Sequence, residues 1–139
     1  MARRNSSLGF LGLFGRSEDL RRLDAALRRF DLHPAQVPEG AKLAIVNMMK
    51  DAWSENGQHR EPPADAYPPL AHLFAYCLMG PDLFAEANGA EPGAQAEARI
   101  EAALDEGEGM DADLILLALH ARLVSPKVVE KFDLSAEEE

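Results

Sequence analysis

The sequence predicts an all-α protein: a compact orthogonal bundle of about five to seven helices around a central apolar helix at residues 112–124. Three observations carry this. Large apolar residues recur three and four positions apart through most of the chain, which is the period of one helix face. No stretch alternates strictly between apolar and polar residues, so no strand is expected. The apolar runs end in helix stops, Gly80-Pro81 and Asn88-Gly89.

The first helix is expected from Ser17, whose hydroxyl suits an N-terminal cap, with Glu18 and Asp19 in the positive first turn. Leu20, Leu23, Leu27 and Phe30 fall on one side, widened by Ala26, and Arg21, Arg22, Arg28 and Arg29 fall on the other. Pro34 and Pro38 make the next segment a connector. Pro38 then opens a second helix with Ala41, Ile45, Met48 and Ala52 on one face and Val46, Met49 and Trp53 extending it, stopping at Asn56-Gly57.

From Gln58 to Pro69 four prolines predict a loop without regular structure. Leu70, Leu73, Phe74, Cys77 and Leu78 mark a third helix that ends at Gly80-Pro81, and a short helix follows to Ala87. Gly93 to Asp105 reads as a modest amphipathic helix through Ala96, Ile100, Ala103 and Leu104. Asp111 is expected to cap the central helix, in which Leu114 to Val124 is apolar around nearly its whole circumference. Ser125-Pro126 starts a last helix through Val128, Val129 and Phe132. Arg29-Phe-Asp-Leu-His33 is echoed by Lys131-Phe-Asp-Leu-Ser135, each at a helix end, which suggests a shared way of stopping a helix with a buried Phe and Leu.

A chain of 139 residues fits one domain. The expected organisation is a flexible apolar and basic N-terminal tail (1–16), a single helical domain (17–134) and an acidic C-terminal tail (135–139). Glycines at 9, 12 and 15 disfavour a continuous helix in the tail, so an extended, adaptable segment is expected there. One cysteine excludes an internal disulfide and points to a cytoplasmic setting. No run reaches the ~20 apolar residues of a membrane span. The net charge of -10 is uneven: residues 1–60 hold 10 Lys/Arg against 7 Asp/Glu, and residues 61–139 hold 4 against 17. Such polarity can steer a protein toward charged partners or head-to-tail association, although a solvated acidic surface that keeps the protein soluble is the commoner reading.

Chemical motifs are sparse. His33, His59, His72 and His120 lack metal-ligand spacing, and no Cys-x-x-Cys exists, so neither a metal nor another cofactor is expected. His120, in the most apolar segment, is expected to be a core histidine bonded to a carbonyl. Cys77 sits among Ala75, Tyr76, Leu78 and Met79, where burial raises a thiol pKa and makes it inert. The acids and glycines of 105–113 fail as a calcium loop, because Leu116 stands where the bidentate Glu belongs. No nucleophile triad or phosphate loop is present, so catalysis has no support in the sequence.

Residues 114–132, in particular Leu116-Leu-Ala-Leu-His-Ala-Arg-Leu-Val-Ser-Pro-Lys-Val-Val-Glu-Lys-Phe132, resemble the helix-turn-helix of bacterial regulators. That resemblance implies a DNA-reading helix with Lys127, Glu130, Lys131 and Asp133 outward. The acidic charge of this half opposes phosphate binding. By elimination, the leading expectation is a non-catalytic module that binds another protein or a second copy of itself. Its candidate contacts are the apolar residues of the tail, Leu8, Phe10, Leu11, Leu13 and Phe14, and the cationic face Arg21, Arg22, Arg28 and Arg29.

Overall fold

A computed structural model describes the backbone of residues 7–53 and 62–134, with side chains from residue 18 onward. Among the described residues the protein is all-helical, with seven α-helices and no strand. They are α1 (Ser7–Arg29), α2 (Glu39–Ala52), α3 (Tyr67–Met79), α4 (Pro81–Asn88), α5 (Ala90–Glu106), α6 (Met110–His120) and α7 (Pro126–Phe132). Short 3-10 turns at Pro34–Gln36 and Ala64–Ala66 precede α2 and α3.

α1 differs from its expected start at Ser17. The helical backbone begins at Ser7 and runs through the glycines at 9, 12 and 15. Each glycine costs about 1 kcal/mol relative to alanine, but extending an existing helix avoids the cost of nucleation. Asp19 is therefore mid-helix rather than in a first turn. It is also buried. It accepts a hydrogen bond from the Tyr67 hydroxyl at 3.2 Å and pairs with Lys50 at 3.1 Å, so one carboxylate ties α1, α2 and α3 together.

The helix around which the others gather is α3, and this corrects the expectation of a central helix at 112–124. α3 packs against α1, α4, α5 and α6, and buries Tyr67, Leu70, Ala71, Leu73, Phe74, Ala75, Tyr76 and Cys77. Its start also corrects the expected loop through Pro69. Pro68 and Pro69 lie in the first helical turn, where the missing N–H would have no partner in the helix. α6 packs on α2, α3 and α5 and buries Leu114, Ile115 and Ala118, while Leu116 remains exposed.

The sequence echo has a structural basis. Asp31, Arg122 and Asp133 all have positive φ, at 65°, 61° and 53°. After each comes a leucine whose N–H reaches five residues back: Leu32 to Leu27 O (3.1 Å), Leu123 to Ala118 O (2.9 Å) and Leu134 to Val129 O (3.0 Å). These are Schellman ends, which satisfy helix carbonyls and turn a leucine inward. Leu32 and Leu134 are buried by that turn.

Candidate protein-docking groove

Gly107, at φ 72°, ends α5 by donating its N–H to Ala103 O at 2.8 Å. The connector Gly107–Gly109 then returns the chain into α6. Arg99 of α5 fixes the pairing of the two helices. Its Nε and Nη2 donate to the two oxygens of Asp111 at 3.0 and 2.8 Å, a bidentate bond across the turn. Asp111 is thus the grip of α5 on α6 and not the expected cap, because α6 begins one residue earlier at Met110.

The same guanidinium holds α3. Arg99 Nη1 donates to Pro69 O at 2.7 Å and to His72 Nδ1 at 3.0 Å, and His72 Nε2 lies 2.8 Å from Pro92 O. A guanidinium only donates, so Nδ1 accepts and Nε2–H donates to the carbonyl. The ring of His72 also lies 5.4 Å from that of Phe30 and 5.9 Å from that of Phe84. Close by, the Tyr76 hydroxyl donates to Glu97 at 2.7 Å. Burial, then that hydrogen bond, push the Tyr76 phenol above its ordinary pKa.

With α5 and α6 clamped, one face between them stays uncovered. Ala103, Leu104, Ala112, Ile115, Leu116 and Leu119 line a groove of about 320 Å³, closed at one end by Gly107, Asp133 and Leu134. Ala103 and Ala112 are the small residues of the lining, and Leu104 and Leu116 its exposed large ones. Leu104 is 50% exposed and Leu116 39%, two of the three large apolar side chains exposed among the described residues. Both were expected on core faces, but no helix covers that side. Asp133 is the one charged residue in the lining, so the groove holds neither a nucleophile nor a base paired with one. The stretch of sequence that supplies much of the lining is acidic: residues 101–113 contain Glu101, Asp105, Glu106, Glu108, Asp111 and Asp113 and no Lys or Arg, with Asp111 held by Arg99 and Asp113 lining a separate pocket beside α2.

The third exposed large residue, Leu83, lines a second groove with Leu78, Met79, Asp31 and Glu86. There one leucine is exposed, and two carboxylates, Asp31 and Glu86, stand within the lining.

The other candidate residues are dispersed. Arg21 and Arg22 turn to Glu18 at 3.6 and 3.4 Å, and Arg28 and Arg29 are exposed in the last turn of α1, where their charge complements the helix end. Asp24 pairs with Lys42 of α2 at 3.1 Å. The side chains of Leu8, Phe10, Leu11, Leu13 and Phe14 lie outside the described residues, as do His59 and Asn56-Gly57. His33 caps its 3-10 turn by accepting from Ala35 N–H at 3.0 Å. His120 corrects the expected core histidine, being exposed at the end of α6. The part-buried histidine is His72 instead. Cys77 is buried and free, and burial pushes its thiol pKa to about 12, which keeps it protonated at neutral pH.

On α7, whose N-terminus Ser125 caps by accepting from Lys127 N–H, both lysines are engaged. Lys127 binds Asp82 of α4 at 2.7 Å, holding that carboxyl below its usual range and raising its own pKa, and Lys131 lies 6.0 Å from the Phe132 ring centre. The helix resembling a DNA reader thus directs its first cation at a neighbouring helix. Among the described residues no helix is long and apolar enough to cross a membrane. No protein-family model, no curated protein and no solved structure matches the chain.

Proposed function

We propose that this protein is a non-catalytic interaction module whose α5–α6 groove receives an apolar, basic segment of a protein partner. The observation that carries the reading is that exposed Leu104 and Leu116 share the lining of one groove, which an acidic stretch of sequence supplies. Fully burying a leucine is worth roughly 1.5–3 kcal/mol, so covering the exposed parts of two contributes on the order of 1–3 kcal/mol. The surrounding carboxylates set the sign of the partner, favouring cations and opposing acidic segments. The proposed setting is the cytoplasm, a reading supported by the single, reduced and buried Cys77.

The test uses two synthetic amphipathic peptides, identical in leucines at helical spacing and differing in Lys or Glu at the polar positions, titrated by fluorescence anisotropy. The lysine peptide is expected to bind and the glutamate peptide not to. Leu116→Glu should weaken the lysine peptide about tenfold or more. Equal binding of both peptides, or binding indifferent to Leu116→Glu, would overturn the reading.

A further inference from the structure

The partner chemistry just described is met by the chain itself. Residues 1–16 contain Arg3, Arg4 and Arg16, no acid, and five large apolar residues, Leu8, Phe10, Leu11, Leu13 and Phe14. Their backbone is helical from Ser7 onward. In sequence, Phe10, Leu13 and Phe14 are three and four positions apart, the spacing of an apolar segment that a groove between two helices accepts.

Resting on the interaction-module reading, we propose that the occupant of the α5–α6 groove is the N-terminal segment of a second copy, so that the protein associates head to tail. Charge complementarity selects this occupant: a segment of net charge +3 meets Asp133 in the groove lining and the acidic turn of Asp105, Glu106 and Glu108 around Gly107. The same charges argue against two grooves meeting face to face, since that contact would oppose acid with acid. Seating within one chain is opposed by α1 itself. Residues 7–17 continue one helix into a segment packed chiefly on α2 and α3, whereas the groove belongs to α5 and α6. A head-to-tail contact uses two different patches, so every copy offers one donor segment and one acceptor groove, and assembly proceeds to a ring or an open chain.

Two variants of the full chain test this, each checked for helicity by circular dichroism. Leu116→Glu blocks the groove and keeps the segment; Phe10→Glu with Phe14→Glu does the reverse. In light scattering, the unaltered protein should gain mass with concentration, to a reciprocal dimer or beyond, and each variant alone should stay at the monomer mass of 15.2 kDa. Mixed in equal amounts, the two should reach the mass of a dimer and no more, because one working groove and one working segment remain. Moderate salt should reduce association. An unaltered protein that stays monomeric, variants that self-associate alone, or a mixture that stays monomeric would overturn the proposal. The peptide titration separates the two readings: lysine-peptide binding with a monomeric protein refutes the second copy and leaves the groove's partner chemistry standing.

Discussion

Helices α3 and α6 are both rich in leucine and alanine, yet their fates differ. α3 packs against four helices and buries eight residues, whereas α6 packs against three, buries three residues and leaves Leu116 exposed. Composition alone does not separate them. What separates them is the number of helices available to cover each, because apolar surface is removed from water only where another element arrives. An apolar helix covered all round reports on stability, and one covered on part of its circumference reports on recognition.

The sharpest way to break this contrast is to truncate one side chain on each helix. Phe74→Ala should cost about 3–5 kcal/mol in denaturant unfolding, because Phe74 is fully enclosed and leaves a cavity. Leu116→Ala should cost only about 1–2 kcal/mol, since part of that side chain is already in water. Equal costs would show that α6 is as structural as α3.

A second experiment asks how α6 is held despite its partial cover. Arg99→Met should lower stability by about 1–3 kcal/mol, because Asp111, His72 Nδ1 and Pro69 O all lose a donor at once. Asp111→Asn combined with Arg99→Met should cost less than the sum of the two single changes. Strict additivity would mean that the bidentate bond does not clamp α5 to α6.

The smallest effect concerns the end of α6. Arg122 has a φ of 61°, a conformation that costs a residue with a Cβ about 1–2 kcal/mol. Arg122→Gly should raise stability by up to ~1 kcal/mol, visible as a higher thermal midpoint. Destabilisation would indicate that the Arg122 side chain contributes to α6 more than its backbone strain takes away.

The helices of this fold were legible because their signals are local. Gly80-Pro81, Asn88-Gly89 and Ser125-Pro126 state helix boundaries in two residues each, and the structure keeps all three. The Phe-Asp-Leu echo pointed to a shared helix ending, and the structure buries its two leucines while leaving Phe30 and Phe132 half-buried. The misreadings share a non-local cause. Ser17, Glu18 and Asp19 resemble a helix start until Tyr67 and Lys50 arrive from distant segments to hold Asp19 inside. Asp111 resembles a cap until Arg99, twelve residues earlier, occupies both its oxygens. Pro68 and Pro69 signal a loop or a first turn equally well. For the groove, Leu104 and Leu116 carried the right residue type with the wrong environment. Helical spacing gives a residue's face, and only packing decides whether that face is covered. The one available sign was charge, since the leucines of α5 and α6 flank a stretch of acids without a basic residue.

The corner at Gly80 has a consequence for how α7 is held. A Cβ on Gly80 would stand 2.9 Å from Ser125 Oγ, so glycine is what lets the start of α7 approach the start of α4. Ser125 N–H then donates to Cys77 O at 2.7 Å, and Lys127 reaches Asp82, 45 residues earlier. α7 has seven residues, fewer than the ~12–15 an isolated helix needs in water. It therefore has no independent existence as a folding unit. Its helical form depends on the α3–α4 corner, to which Ser125 and Lys127 latch it.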